Sequence, residues 1–143
     1  MLTELTVKGL LAETAGDAPV PGGGSISALN GAIAAALAEM VANLTIGKKK
    51  YADVQDEMAE IAKSAAALQK ELVLDVDRDS EAYDGVSQAF KLPKETDEEK
   101  AIRSAAIQEN TKKAALVPME VARRASTLLP SIEAVVARGN QNA

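Results

Sequence analysis

The sequence predicts an all-α protein built as an antiparallel helical bundle, and three observations carry that prediction. Apolar residues recur in steps of three and four over long stretches. No segment alternates polar and apolar residues as a half-buried strand would. The hydrophobic content is also aliphatic: 47% of the 143 residues are hydrophobic but only 2% are aromatic, with one Phe, two Tyr and no Trp. Ala, Leu, Val and Ile must therefore fill the interior, which suits closely packed helices better than a sandwich or barrel. A chain of this length buries about two-thirds of its unfolded surface in one core, so residues 1–143 are expected to form a single domain.

Residues Thr3 to Glu13 form a short amphipathic segment with Leu5, Leu10 and Leu11 toward one side, followed by a loop from Ala15 to Gly24 rich in Gly and Pro. The next helix sets Ile26, Leu29, Ile33, Leu37, Met40 and Leu44 at helical spacing. Gly31, Ala35, Ala38 and Ala42 give it a second face of small side chains, so it can be approached closely from two sides. Asn30, Glu39 and Asn43 interrupt its apolar run, so a buried helix is expected and no membrane association. Gly47 and the cations Lys48, Lys49 and Lys50 suit its C-terminal end.

After a turn near Tyr51 comes a regular stripe of Val54, Met58, Ile61, Ala65, Leu68 and Leu72, which continues through Ala82, Val86 and Phe90 toward Pro93. Thr96 and Glu99 have the spacing of a capping box and open a last helix carrying Ile102, Ile107, Leu116, Val121, Ala125 and Leu128. Pro118 and Pro130 fall inside that pattern, so kinks are predicted there, with Gly139 as the end.

Composition removes several function classes. With no Cys there is no disulfide framework, thiol nucleophile or thiolate metal site. With no His, zinc chemistry and a Ser/His triad are ruled out, and proton transfer falls to carboxylates, Lys, Tyr or water. No metal is expected. A net charge of -5 provides no basic footprint for a phosphate backbone, so nucleic acid is not an expected partner. The N-terminus lacks a basic region followed by a long apolar run, and a cytoplasmic location is expected.

Three features can carry chemistry. Gly22, Gly23, Gly24 and Ser25 stand before a helix start, where glycines admit a ligand and free amides favour negative charge; a flexible loop with a Ser cap reads equally well. Asp75, Asp77 and Asp79 interrupt the apolar stripe where core residues would stand. Such carboxylates call for a cationic partner or a pocket, unless the helix simply leaves the core there. Lys48, Lys49 and Arg103 can neutralise those carboxylates or receive an anionic ligand, against the simpler reading of a solvated surface.

These letters together resemble a known family. Pro19-Val20-Pro21 with Gly22-Gly23-Gly24-Ser25, then Met40 through Gly47-Lys48-Lys49-Lys50-Tyr51, is similar to the signature of the cyclodeaminase/cyclohydrolase family. The similarity continues through Asp77-Arg78-Asp79-Ser80-Glu81-Ala82-Tyr83, Leu92-Pro93-Lys94, Glu98-Glu99-Lys100, Arg103 and Val117-Pro118.

The resemblance implies an all-helical protein that dimerises or forms a higher homo-oligomer, and a tetrahydrofolate derivative as substrate with no separate cofactor. It implies either cyclodeamination of a 5-formimino group or hydrolysis of the 5,10-methenyl bridge. Asp79 first and Asp77 second are then expected to stabilise the cationic one-carbon unit and move protons. Gly22, Gly23, Gly24 and Ser25 would hold the pterin or one-carbon region, and Lys48, Lys49 or Arg103 the glutamate carboxylates. Gly139-Asn140-Gln141-Asn142 resembles the start of a family segment after which relatives continue through further helices. A folate-binding module without turnover and a purely structural helical oligomer are the alternatives.

Overall fold

The computed structural model covers residues 1–143 and is all-α: five α-helices and two 3-10 turns, with no strand. The helices are α1 (Val7–Thr14), α2 (Gly23–Thr45), α3 (Gln55–Phe90), α4 (Asp97–Ser126) and α5 (Leu129–Arg138). Contacts divide the chain into two compact units, one of Met1–Ala28 with Leu74–Val121 and one of Leu29–Val73 with Ala122–Ala143.

In the second unit, α2 and α3 run antiparallel. Gly31 faces Leu72, while Ala42 shares a buried cluster with Met58 and Ile61. The expected two-faced character of α2 resolves unequally. Its small face is the packed one: Ala32, Ala35, Ala38 and Ala42 are all 4% exposed or less. Ile33, Leu37, Met40 and Leu44 are 43–53% exposed. The reason is axial distance, because Ala and Gly let helices approach until Leu72 Cδ1 lies 3.2 Å from where a Cβ on Gly31 would stand. By length and composition α2 could cross a membrane, but one such helix is weak evidence of a span, and its Ala face packs against protein.

The helix end expected near Gly47 is present: α2 stops at Thr45, and Gly47 takes φ +78°, the left-handed conformation that closes helices. The Gly47 amide donates to Gln55 Oε1 at 2.6 Å. The C-terminal segment also seals this end, for Asn140 N–H donates to Thr45 Oγ1 (2.8 Å) and Asn140 Nδ2 to the Leu44 carbonyl (3.0 Å). The Gln141 amide donates to the Tyr51 phenol oxygen, which lowers that phenol's pKa from its ordinary value.

This closure leaves no room at Gly139. A Cβ there would sit 2.4 Å from the Val135 carbonyl oxygen and 3.0 Å from Val41 Cγ1, and the first is backbone that cannot swing aside. Gly139→Ala is expected to cost about 1–3 kcal/mol of stability, as overpacking does. Denaturant unfolding checks this, and a variant as stable as wild type would contradict the packing described.

The last helical pattern differs from expectation at Pro130. Rather than kinking a continuous helix, Pro130 stands at the second position of a new one. The chain tightens into i→i+3 bonds from Thr127 to Arg124 and from Leu128 to Ala125 before α5 starts. Proline is well tolerated there because the first-turn amides have no intrahelical acceptor. Pro118, by contrast, lies inside α4.

In the first unit, α3 and α4 are antiparallel, with Gly85 facing Asn110 and Arg78 facing Glu120. Buried Ala28, Val76, Ala89, Val117 and Val121 supply its apolar interior. The capping box forms as expected: Glu99 N–H donates to Thr96 Oγ1 (3.2 Å), and Glu99 Oε2 accepts from the Thr96 and Glu95 amides (3.0 and 2.9 Å). The Thr96 amide, then that of Glu95, holds the Glu99 carboxyl below its ordinary value of 4.5.

A carboxyl that ionises more readily when folded contributes its full stability above the unfolded value and loses it as pH falls through the lowered folded one. The stability gap between wild type and Glu99→Gln is therefore expected to shrink between about pH 6 and about pH 3. Denaturant titrations across that range check it. A constant gap would contradict the cap.

Candidate functional site

The site is built in the first unit, where the N-terminal turn of α2 meets the second half of α3. The loop before α2 contains a cis peptide bond between Val20 and the buried Pro21. The expected loop ends at Gly22, and Gly23 and Gly24 already form the first turn of α2. Gly24 is required here on steric grounds, since a Cβ on it would lie 2.0 Å from Asp79 Oδ1 and 2.4 Å from its Cγ. Only glycine lets the Asp79 carboxylate rest against the helix start. That start carries the positive end of the helix dipole, which interacts favourably with an anion.

Ser25, fully buried, donates from Oγ to Asp79 Oδ2 at 3.1 Å, so the carboxylate is oriented as well as accommodated. Asp79 remains partly exposed and opens onto a cleft of about 280 Å³, lined by Pro19, Val20, Gly22, Gly23, Gly24, Asp79, Tyr83 and Ala114. That volume is near the lower end of small-molecule sites, which begin at roughly 300 Å³, and is adequate for a fused ring with its reacting atoms.

The three aspartates divide into different environments. Asp75 is 3% exposed and meets Arg78 Nη1 at 3.2 Å, one turn along the same helix. Arg78 also meets Glu120 at 2.6 Å, and Glu120 is the main cause of that guanidinium's raised pKa. The cationic partner expected for a buried carboxylate is thus present, but it is Arg78 and not Lys48, Lys49 or Arg103. Asp77, 8% exposed, accepts from the Leu2 amide and from Thr3 Oγ1 (2.5 Å), tying the N-terminal segment to α3. Its carboxylate lines a different cleft, of about 410 Å³, with Met1, Leu2 and Glu81 among its walls.

Of the expected binding residues, Gly22, Gly23, Gly24 and Ser25 come together with Asp79. Arg103 does not join them: its Nε and Nη2 both donate to the Phe90 carbonyl at 3.3 Å, closing the end of α3, and its guanidinium lies 5.4 Å from the Phe90 ring centre. Lys48 and Lys49 are exposed, form no ion pair and belong to the second unit. Sequence reasoning misses Tyr83 as a site residue, yet it lines the cleft. A signal is available, since it stands four residues beyond Asp79 and so on the same helix face.

A glycine-cradled, serine-oriented carboxylate in a small cleft can bind a compact cation and exchange protons with it. Comparison with known proteins gives this arrangement a context. A family model described as Formiminotransferase-cyclodeaminase matches residues 6–143. The chain is 43% identical over 137 residues to a methenyltetrahydrofolate cyclohydrolase of Methylorubrum extorquens, which covers 96% of this chain and 66% of that protein. It is 33% identical over 139 residues to the formimidoyltransferase-cyclodeaminase of Mus musculus, covering 97% of this chain and 26% of the relative.

The fold matches the crystal structure of a formiminotetrahydrofolate cyclodeaminase from Thermotoga maritima with a TM-score of 0.83 and 35% identity, over 99% of this chain and 67% of the other. The chain therefore spans less than two-thirds of the length of these two sequence relatives. On the family match and these identities, with the same helical fold beneath them, the chain belongs to the formiminotransferase-cyclodeaminase family.

Proposed function

We propose that this chain hydrolyses 5,10-methenyltetrahydrofolate, with Asp79 as its acid/base carboxylate. The observation that carries the reading is the carboxylate itself, seated against Gly24 at the start of α2, oriented by Ser25 and open to the cleft. The cyclohydrolase relative's 43% identity, against 33% for the murine cyclodeaminase, favours hydrolysis over deamination.

The methenyl carbon carries a delocalised positive charge between N5 and N10. Asp79 would attract that cation, and as water adds to the carbon it would take the proton the water loses. The adduct then collapses: the carbon–N5 bond breaks, N5 gains a hydrogen, and the carbon stays on N10 as a formyl group. Tyr83 and the Gly22–Gly24 backbone would form the walls against which the pterin lies. Nothing in this sequence of steps requires a metal or a cofactor beyond the folate.

Self-association and a cytoplasmic location belong to the same reading. The exposed Ile33, Leu37, Met40 and Leu44 form a continuous apolar face on α2, of the kind that a second copy covers. A solution mass of 14.9 kDa, that of one chain, would overturn the self-association. The catalytic reading is tested by following the loss of methenyl absorbance and identifying 10-formyltetrahydrofolate as the product. Decay no faster than the spontaneous rate would sink it, and folate-induced thermal stabilisation without turnover would point to a binding module instead.

A further inference from the structure

Asp79 is one end of a hydrogen-bonded chain. Its Oδ2 accepts from Ser25 Oγ at 3.1 Å, and Ser25 Oγ lies 3.0 Å from Ser80 Oγ, where either hydroxyl can donate. Ser25 is fully buried and lines neither cleft, while Asp79 lines the substrate cleft and Ser80 the neighbouring cleft of about 410 Å³. The walls of that second cleft also carry Asp77, Glu81 and Asp84. The chain of hydroxyls therefore links a residue that lines one cleft to a residue that lines the other.

We propose that Asp79, Ser25 and Ser80 form a proton relay that discharges the substrate cleft into this acidic second cleft. The proposal rests on the hydrolase reading, whose stoichiometry creates the need. A methenyl cation and neutral water give a neutral formyl amide and one proton: the water oxygen bonds to carbon, the carbon–N5 bond breaks, one water hydrogen ends on N5, and the other must leave. Asp79 takes that proton while folate covers its own cleft. It then passes the proton to Ser25 Oγ as Ser25 passes its own to Ser80, and Ser80 releases one to water in the second cleft. Each hydroxyl ends with one hydrogen and the carboxylate is restored. Both donor–acceptor distances lie within ordinary hydrogen-bond range, and the carboxylates around the exit favour a departing cation electrostatically.

The test is Ser80→Ala, because Ser80 is bonded to Ser25 rather than to Asp79 and does not line the substrate cleft. Expected for this variant are a kcat lower by about 10-fold, part of what positioned proton transfer contributes, with KM unchanged. A larger solvent deuterium isotope effect and recovery of kcat with rising concentrations of imidazole, which wild type does not need, are also expected. Ser80→Thr, which keeps a hydroxyl, retains turnover. A structural role would move stability but produce no rescue by buffer. Wild-type kcat in Ser80→Ala, or a loss that imidazole does not restore, overturns the relay while leaving the hydrolase reading intact. Absence of turnover in wild type removes both.

Discussion

Asp79→Asn is expected to lower the rate of methenyl hydrolysis by about 10²–10⁴-fold, the span that a positioned acid/base group contributes, while leaving the fold unchanged. The carboxamide has the shape of the carboxylate and can still accept from Ser25, which donates to Oδ2 at 3.1 Å. It can neither hold a proton taken from water nor match the charge of the cationic carbon. Melting temperature and folate binding separate the two outcomes. A variant that melts as wild type does and binds folate but turns over at the background rate places the chemistry on Asp79. A variant with wild-type kcat moves the chemistry elsewhere.

Gly24→Ala is expected to be nearly as damaging to activity, and for an unusual reason. Inside a helix, Gly to Ala ordinarily stabilises by roughly 0.5–1 kcal/mol because the backbone loses less entropy on folding. Gly23 has nothing within 4 Å of an added Cβ, so Gly23→Ala should show that ordinary gain. One residue on, the added Cβ would stand 2.0 Å from Asp79 Oδ1, and the carboxylate must swing away from the helix start and from Ser25. The pair is a matched comparison of neighbouring glycines under one substitution. Stability should rise for Gly23→Ala and not for Gly24→Ala, and turnover should collapse in the latter. Equal behaviour of the two would show that the contact between Gly24 and Asp79 does not matter.

Much of the fold is legible in the sequence because helical periodicity and end chemistry are local. The stripe from Met58 to Leu72, the Thr96–Glu99 box and the stop at Gly47 each depend on residues within a few positions of one another. What is not legible depends on residues far apart in the chain. Which face of α2 packs cannot be read from its own letters, since both faces are apolar. The small one is buried because Leu72, Met58 and Val135 pack against it from elsewhere in the sequence.

The site divides in the same way. The interrupted stripe marks the Asp75–Asp79 run as unusual, and the contact with Gly24 sets Asp79 apart from the other two. The separate employment of Asp75 by Arg78, and of Asp77 by Leu2 and Thr3, needs the folded chain. Arg103 illustrates the converse. A cation inside a helix pattern suggests a ligand, but the exposed carbonyl at the end of α3 claims it.

The central claim is that folate lies in the cleft where Asp79 meets the start of α2, and amide NMR during titration with a stable folate tests it most directly. The account predicts shifts concentrated at the amides of Gly22, Gly23, Gly24, Ser25 and Tyr83. Those five amides unmoved, with the shifts gathered instead around Arg78, Asn110 and Lys113 in the cleft between α3 and α4, would contradict it.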